Sequence, residues 1–252
     1  MGLPLAGCTV ISLRPSGTHD GMRRAAAKQG ARLLALSPWR LRDRADPRTR
    51  ATLATALGAP RVVFTSPAAV AAAARMERLQ PAAGANWLAV GAGTAAALAR
   101  AGVDASAPTR MDSEGLLALE PLQQVSGLAV GLVTAPGGRG ELQPALQRRG
   151  AQVLRADVYE RIELAPSQRA IAALRALSGP AWLALGSGAA LEVILSALPA
   201  DATAVLHSAS VVAASERLAA MAADRGFGRV VVAASAMPAD LVAAAAAAHR
   251  PA

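Results

Sequence analysis

Few residues in this chain have the types and spacing that chemistry needs. Most are hydroxyls and glycines standing between a short apolar run and an Ala/Leu segment. Thr65-Ser66-Pro67 follows Arg61-Val62-Val63-Phe64, and Gly186-Ser187-Gly188 follows Trp182-Leu183-Ala184-Leu185. A hydroxyl residue at a helix N-cap, with Pro at the first helical position, satisfies free N–H groups and pre-sets the backbone. The N–H groups left over, with the positive end of the helix, can hold a carboxylate or a phosphate. Plain capping uses the same residues. What favours a ligand is recurrence: Ser66, Thr94, Ser113, Ser187 and Ser215 are all expected at C-terminal strand ends, where open α/β sheets bind ligands. Together they predict an anion-binding rim.

Three other stretches carry possible chemistry. Pro136-Gly137-Gly138-Arg139-Gly140-Glu141-Leu142 is a Gly-rich loop whose backbone could wrap an anion, with Arg139 adding a fork of donors. It lacks the Gly-Lys-Ser/Thr ending of a nucleotide P-loop. Gly91-Ala92-Gly93-Thr94-Ala95-Ala96 has the form of a dinucleotide fingerprint, with Asp112 about 20 residues on. It sits mid-domain, however, and Gly/Ala turns are common in so Ala-rich a chain. Tyr159, the single tyrosine, could serve as a general acid or hydrogen-bond donor, or simply pack on a linker strand. No Ser/His/Asp or Cys/His arrangement and no close carboxylate pair is visible.

Composition narrows the classes. One cysteine, Cys8, rules out a disulfide framework and a cysteine metal cluster. His19, His207 and His249 share no ligand spacing, so no metal site is assigned. The net charge of +9 comes almost wholly from arginine, with Lys28 the only lysine. Such an excess suits an acidic partner. The arginines are scattered through helices instead of forming a run with interleaved aromatics, which favours a small polycarboxylate over nucleic acid. Leu5-Ala6-Gly7-Cys8 spells a lipoprotein cleavage box, yet no basic and apolar leader precedes it, and it reads better as the entry to a first strand. The Ala243 to Ala248 run is too short to span a bilayer. A cytoplasmic monomer is expected.

The elements that must position these residues occur twice. Ser113-Glu114-Gly115-Leu116-Leu117 is echoed by Pro238-Ala239-Asp240-Leu241-Val242, and the echoes run at offsets of 121 to 125 residues. Gly30-Ala31-Arg32-Leu33 resembles Gly150-Ala151-Gln152-Val153 in the opposite sense, at an offset of 120. Runs at Val10–Leu13, Val62–Phe64, Leu88–Val90, Ala129–Val133, Leu183–Leu185 and Val230–Val232 read as buried parallel strands. The helical segments between them end at Gly30, Gly102, Gly150 and Gly226. The fold class is therefore α/β: two similar parallel-sheet lobes joined by a two-stranded connection, with a cleft between them. The threading predicts one discontinuous lobe of residues 1–36 plus 165–252 and one continuous lobe of 43–153. Connections are expected at 37–42 and 154–164.

Taken in order, these blocks resemble the uroporphyrinogen-III synthase family. The resemblance rests on Leu13-Arg14-Pro15, Phe64 to Val70, Ala89 to Ala95, Ser113 to Leu116, Gly137 to Leu142, and Gly150-Ala151-Gln152-Val153 leading to Val158-Tyr159-Glu160-Arg161. It implies a cofactor-free cyclising lyase of porphyrin and heme biosynthesis. The implied substrate is hydroxymethylbilane, a linear tetrapyrrole with eight carboxylates. Water is lost from ring A, ring D inverts through a spiro intermediate, and the macrocycle closes as uroporphyrinogen III. Tyr159 matches the tyrosine thought to help the ring-A hydroxyl leave. Thr65, Ser66, Gly91 and Thr94 match positions that cradle substrate, and Arg14, Ser113, Gly138, Arg139, Ser187 and Ser215 are the further substrate-binding candidates of this chain. The second half departs from the family pattern: Leu185-Gly186-Ser187 stands where a Thr-Ser pair is common, and Ala214-Ser215-Glu216-Arg217 where Gly-x-x-Thr is common. Two rival readings stand beside the resemblance, and the first shares every capping feature. One is a non-catalytic bilobed binding protein for a small anion. The other is a nucleotide-dependent enzyme using Gly91 to Ala96.

Overall fold

The computed structural model describes residues 2–110, 113–137 and 140–249, with Ser113 described by its backbone alone. Gly138 and Arg139, expected to wrap an anion, lie outside the described residues, as does the side chain of Ser113.

Two compact units account for the chain, Met1–Arg40 with Ile162–Ala252 and Leu41–Arg161. The first unit begins with β1 (Thr9–Ser12), α1 (Asp20–Lys28) and β2 (Arg32–Ala35), and β3 (Trp39–Asp43) carries the chain onward. The second unit holds α2 (Pro47–Leu57), β4 (Arg61–Phe64), α3 (Pro67–Met76), β5 (Asn86–Ala89) and α4 (Ala92–Arg100). It continues with α5 (Ser113–Leu117), α6 (Glu120–Gln123), β6 (Ala129–Thr134), α7 (Leu142–Arg148) and β7 (Gln152–Asp157). β8 (Tyr159–Glu163) returns the chain. The first unit is then completed by α8 (Gln168–Arg175), β9 (Ala181–Leu185), α9 (Gly188–Ala197), α10 (Ala200–His207), β10 (Ser210–Ala213), α11 (Glu216–Asp224), β11 (Val230–Val232) and α12 (Pro238–Ala248).

Each unit is built on a parallel sheet. The first has strand order β11-β10-β9-β1-β2 and the second β5-β4-β6-β7. Central strands such as β4 and β9 are continuous apolar runs because both faces are covered by helices, and their side chains are almost wholly buried. The helices that cover them stop where a left-handed residue is needed: Gly30, Gly102, Gly150 and Gly226 all take φ between 79° and 86°. In the second unit Phe64 packs against Trp87 with ring centroids 5.3 Å apart and planes tilted by 36°. In the first, Trp182 is buried in the core under Arg229, whose guanidinium lies 5.2 Å from the ring centroid.

β3 and β8 form a separate two-stranded sheet. Hydrogen bonds from Arg44 N–H to the Val158 carbonyl and from Leu164 N–H to the Pro38 carbonyl, each 3.0 Å, flank it, so the two strands run in opposite directions. The returning connection is shorter than the expected 154–164. Residues 154–157 finish β7, which pairs with β6 over its whole length from Ala129↔Gln152 to Thr134↔Asp157. Ala156 in that stretch is fully buried, and this burial keeps it in the sheet.

Candidate functional site

In the second unit the chemistry gathers where β4, β5 and β6 end. Thr65 leaves β4 with its N–H donating to the Val133 carbonyl at 3.1 Å and its hydroxyl donating to Thr134 Oγ1 at 2.8 Å. Ser66 is extended, with φ −162° and ψ 157°, and is the N-cap of α3. Its Oγ accepts the Ala69 N–H at 3.1 Å, and Pro67 fills the first helical position, where no N–H is wanted. The Val158 N–H donates to the Thr134 carbonyl at 3.0 Å, which fixes the next residue, Tyr159. Its ring is buried in the apolar core of the unit, only 5% exposed, and its hydroxyl lies 3.2 Å from Ser66 Oγ. A helix N–H, a serine hydroxyl and a phenol are therefore joined in one chain of hydrogen bonds.

Beside them, Val90 N–H donates to the Phe64 carbonyl at 3.1 Å and brings Gly91 alongside Thr65. Gly91 is the N-cap of α4 and carries no capping side chain; its carbonyl accepts the Thr94 N–H at 3.0 Å, which leaves the Ala92 and Gly93 N–H groups of the first turn to a ligand or solvent. Thr94 differs from the expectation. It is the third residue of α4, not a cap, and is 2% exposed because the helix face it occupies packs inward. Ser113 opens α5 as its first residue.

The first unit repeats the arrangement with different residues. Ser187 caps α9 after β9, its Oγ accepting the Ala190 N–H at 3.4 Å. Ser215 caps α11 after β10 by position, but its hydroxyl makes no cap hydrogen bond; its carbonyl accepts the Leu218 and Ala219 N–H groups, each at 3.0 Å. The Ala214 N–H donates to the Leu185 carbonyl at 2.9 Å, which holds the two strand ends together. Gly188 allows α9 to start close against α11, since a Cβ there would meet Met221 Sδ at 2.6 Å. Arg14 follows β1, the neighbour of β9 in the sheet. Its Nε is buried without a partner among the described residues, and burial pushes the guanidinium pKa below its ordinary value. A half-buried cation with an idle, buried donor is suited to a carboxylate.

The structure thus brings Thr65, Ser66, Gly91 and Tyr159 to one sheet edge, and Arg14, Ser187 and Ser215 to the corresponding edge of the other unit. Sequence reasoning missed His19. It precedes α1, is 7% exposed, and places Nδ1 3.0 Å from Ser12 Oγ and Nε2 2.8 Å from Ser37 Oγ. Its pKa is lowered, first by burial and then by the charges of Arg14 and Arg23, with Asp20 opposing. The available signal was Ser12, a polar residue inside an apolar strand that must find a partner. Among the described residues no group of three or more His, Cys, Asp or Glu is placed to hold a metal ion.

Comparison with known proteins follows the same lines. The family model described as uroporphyrinogen-III synthase HemD matches residues 20–243. A mutant uroporphyrinogen III synthase from the extremely thermophilic bacterium Thermus thermophilus superposes with a TM-score of 0.61 at 21% identity, covering 93% of this chain and 96% of that one. A uroporphyrinogen-III synthetase from Helicobacter pylori gives a TM-score of 0.61 at 12% identity, covering 96% and 99%. No curated protein matches the sequence. At these identities the solved structures speak to the fold, and the family match is the finding that bears on activity.

Proposed function

Since the chain belongs to the uroporphyrinogen-III synthase family, we propose that it closes hydroxymethylbilane to uroporphyrinogen III as a cofactor-free lyase. The observation that carries this reading is the family match across residues 20–243. In the reaction the ring-A hydroxymethyl C–O bond breaks and water leaves with a proton from the protein. The freed carbon bonds to the substituted α-carbon of ring D to give a spiro centre, the older bond from that centre to its bridge carbon breaks and re-forms at the free α-carbon of ring D, and that carbon gives up its proton and restores the acid. One water is lost and no electrons are exchanged.

The chain's own residues supply a proton and anchorage. When Ala69 N–H donates to Ser66 Oγ and the Ser66 hydroxyl donates to Tyr159 Oη, the phenolic proton is directed away from Ser66. In that orientation Tyr159 is the acid for the departing oxygen, and Ser66 is its aligning partner. The uncapped first turn of α4 at Gly91 and the Arg14 guanidinium take carboxylates, helped by the helix starts at Ser187 and Ser215. Thr65 and Thr94 support these positions, Thr94 from within the helix.

Because hydroxymethylbilane also closes unaided to the uninverted isomer, the protein must direct the path as well as speed it, which is a matter of positioning. The same reading has the protein acting in the cytosol as a monomer, on a small polycarboxylate and without nucleic acid or membrane. Among the described residues no helix is long and apolar enough to cross a membrane. The test supplies freshly generated hydroxymethylbilane to the purified protein, then oxidises and separates the uroporphyrin isomers. Predominantly type III product is expected; type I alone, at the protein-free rate, overturns the reading.

A further inference from the structure

The loop between β1 and α1 carries Arg14 and is tied down at its far end by a residue that does no capping. His19 is the N-cap of α1, yet its side chain makes no hydrogen bond to the helix. The ring turns inward. One nitrogen meets Ser12 Oγ at the end of β1, and the other meets Ser37 Oγ in the segment between β2 and β3. Ser12 is fully buried, so its hydroxyl depends on the ring for a partner. A second tie reaches the first residue of β3, where Ser16 N–H donates to the Trp39 carbonyl at 2.9 Å. Between these two points the loop closes on itself through Thr18, whose N–H and hydroxyl both donate to the Pro15 carbonyl, at 3.1 and 2.7 Å. Gly17, with φ 79°, makes the reversal possible. Arg14 sits at the start of this closed loop with an idle buried Nε.

We propose that His19 is a positioning residue: by bridging Ser12 and Ser37 it holds the β1–α1 loop in the one shape that aims Arg14 at a substrate carboxylate. The inference rests on the synthase reading for the identity of the substrate, but the latch itself is a property of the loop. A neutral imidazole suits the task because one nitrogen donates and the other accepts, while each serine hydroxyl can turn to match. The groups facing the ring are Ser12 from β1, Ser37 from the β2–β3 segment, Arg14 from the loop, and Asp20 and Arg23 from α1. With two arginines and one aspartate, that set favours the neutral ring.

The experiment uses the whole chain and four single variants, His19→Phe, His19→Gln, Ser37→Ala and Arg14→Ala, with the doubles His19→Phe/Arg14→Ala and Ser37→Ala/Arg14→Ala. Each lost hydrogen bond is expected to raise KM for hydroxymethylbilane by about fivefold. Ser37→Ala therefore gives about a fivefold rise and His19→Phe a larger one, with kcat within about twofold in both. His19→Gln, which keeps a donor and an acceptor, recovers part of the loss. In the Arg14→Ala background neither variant raises KM further, because the effect passes through Arg14. An unchanged KM in Ser37→Ala, or the same fold-rise with and without Arg14, overturns the proposal. Ser37→Ala removes one small hydroxyl, so it keeps the question open to test even where His19→Phe fails to fold.

Amide exchange gives a readout that needs no activity. The Ser16 N–H should exchange at least about fivefold faster in Ser37→Ala than in the unaltered chain, while the Ala69 N–H, in the other unit, stays the same. Equal exchange at Ser16 overturns the latch. If the unaltered chain makes only type I product, it is the synthase reading that has failed, and the exchange comparison still decides whether His19 holds the loop.

Discussion

Replacing Tyr159 with Phe removes one oxygen and leaves the buried ring in place. The lost contact is long for an O–H···O bond, 3.2 Å to Ser66 Oγ, where about 2.7–2.8 Å is usual. Ser66 keeps its bond from the Ala69 N–H, so no capping is lost with it. The stability cost should therefore be about 1 kcal/mol or less, a fall in Tm of no more than about 2–4 °C for a chain of this size. Turnover should suffer more. General-acid assistance is ordinarily worth roughly 10²–10⁴-fold, and a hydroxyl that also departs unaided belongs at or below the low end, giving a drop in kcat of about 10- to 100-fold. KM should stay within about threefold, because the hydroxyl is asked to act on the departing oxygen and not on the carboxylates.

The assay follows both isomers of uroporphyrin over time at several substrate concentrations. As kcat falls, the unaided route gains ground, and the type I fraction should rise in step with the loss of rate. The Ser66→Ala variant supplies the companion measurement: it should lose stability by about 1 kcal/mol through the cap and lower kcat by no more than Tyr159→Phe. The double variant should then lose little beyond the worse single one, since the two hydroxyls act in series. A kcat within about twofold of the unaltered chain in Tyr159→Phe would refute the acid role. A rise in KM with kcat unchanged would convert Tyr159 into a binding group.

Three further outcomes follow from the geometry. Gly131→Ala would place a Cβ 2.0 Å from the Ala56 carbonyl oxygen, where β6 runs under α2; main chain cannot give way cheaply, so a loss of at least about 1–3 kcal/mol is expected by denaturant unfolding. Ser215→Ala should cost less stability than Ser66→Ala, because the Ser215 hydroxyl makes no cap hydrogen bond while Ser66 does; equal losses would refute this account of the caps. For His19 the folded pKa lies below its ordinary value of 6.5, so the unfolded chain takes up the proton first. Its contribution to stability is complete above about pH 6.5 and declines as pH falls toward the folded pKa, and His19→Phe should flatten that part of the stability–pH curve.

How much of this was legible in the sequence depends on how local the cause is. The glycines that end helices and the Ser66-Pro67 start of α3 are decided within a few residues, and they can be read directly. Strands buried on both faces, such as β4 and β9, announce themselves as apolar runs. β2 does not: it is an edge strand that begins with exposed Arg32. β10 is Ser210-Val211-Val212-Ala213, which in an Ala-rich chain reads as readily as helix. The Ser66–Tyr159 pair spans 93 residues and exists only because β4 is followed across the sheet by β6 and β7. Spacing along the chain carries no trace of it. His19 is hidden for another reason: in the sequence a histidine is weighed as a metal ligand, whereas its partners are two serines that become neighbours only when β1 and β2 pair.

The two sheet edges are built to one plan but equipped differently. In both, a strand ends, an extended residue caps the next helix, and a neighbouring strand end is hydrogen-bonded alongside. The second unit adds a phenol in line with its cap. The first has no counterpart, since Tyr159 is the chain's single tyrosine, and it adds instead the buried Arg14 Nε and the histidine bridge beside it. A duplicated scaffold explains the shared capping, which stability alone would maintain in each unit. It does not explain the differences. A proton donor needs a hydroxyl held in one orientation, and an anchor for carboxylates needs a fixed cation that solvent does not screen. Those needs conflict within one small rim, because a buried guanidinium beside the phenol would favour the phenolate and withdraw the proton from use. With Arg14 as the proposed anchor and Tyr159 as the proposed acid, each unit carries only one of the two groups, and the conflict does not arise within either rim. This division also predicts that moving the charge should be harmful: Thr65→Arg, next to Ser66, should depress kcat even where KM improves, and an unimpaired kcat would show that the division carries no chemical weight.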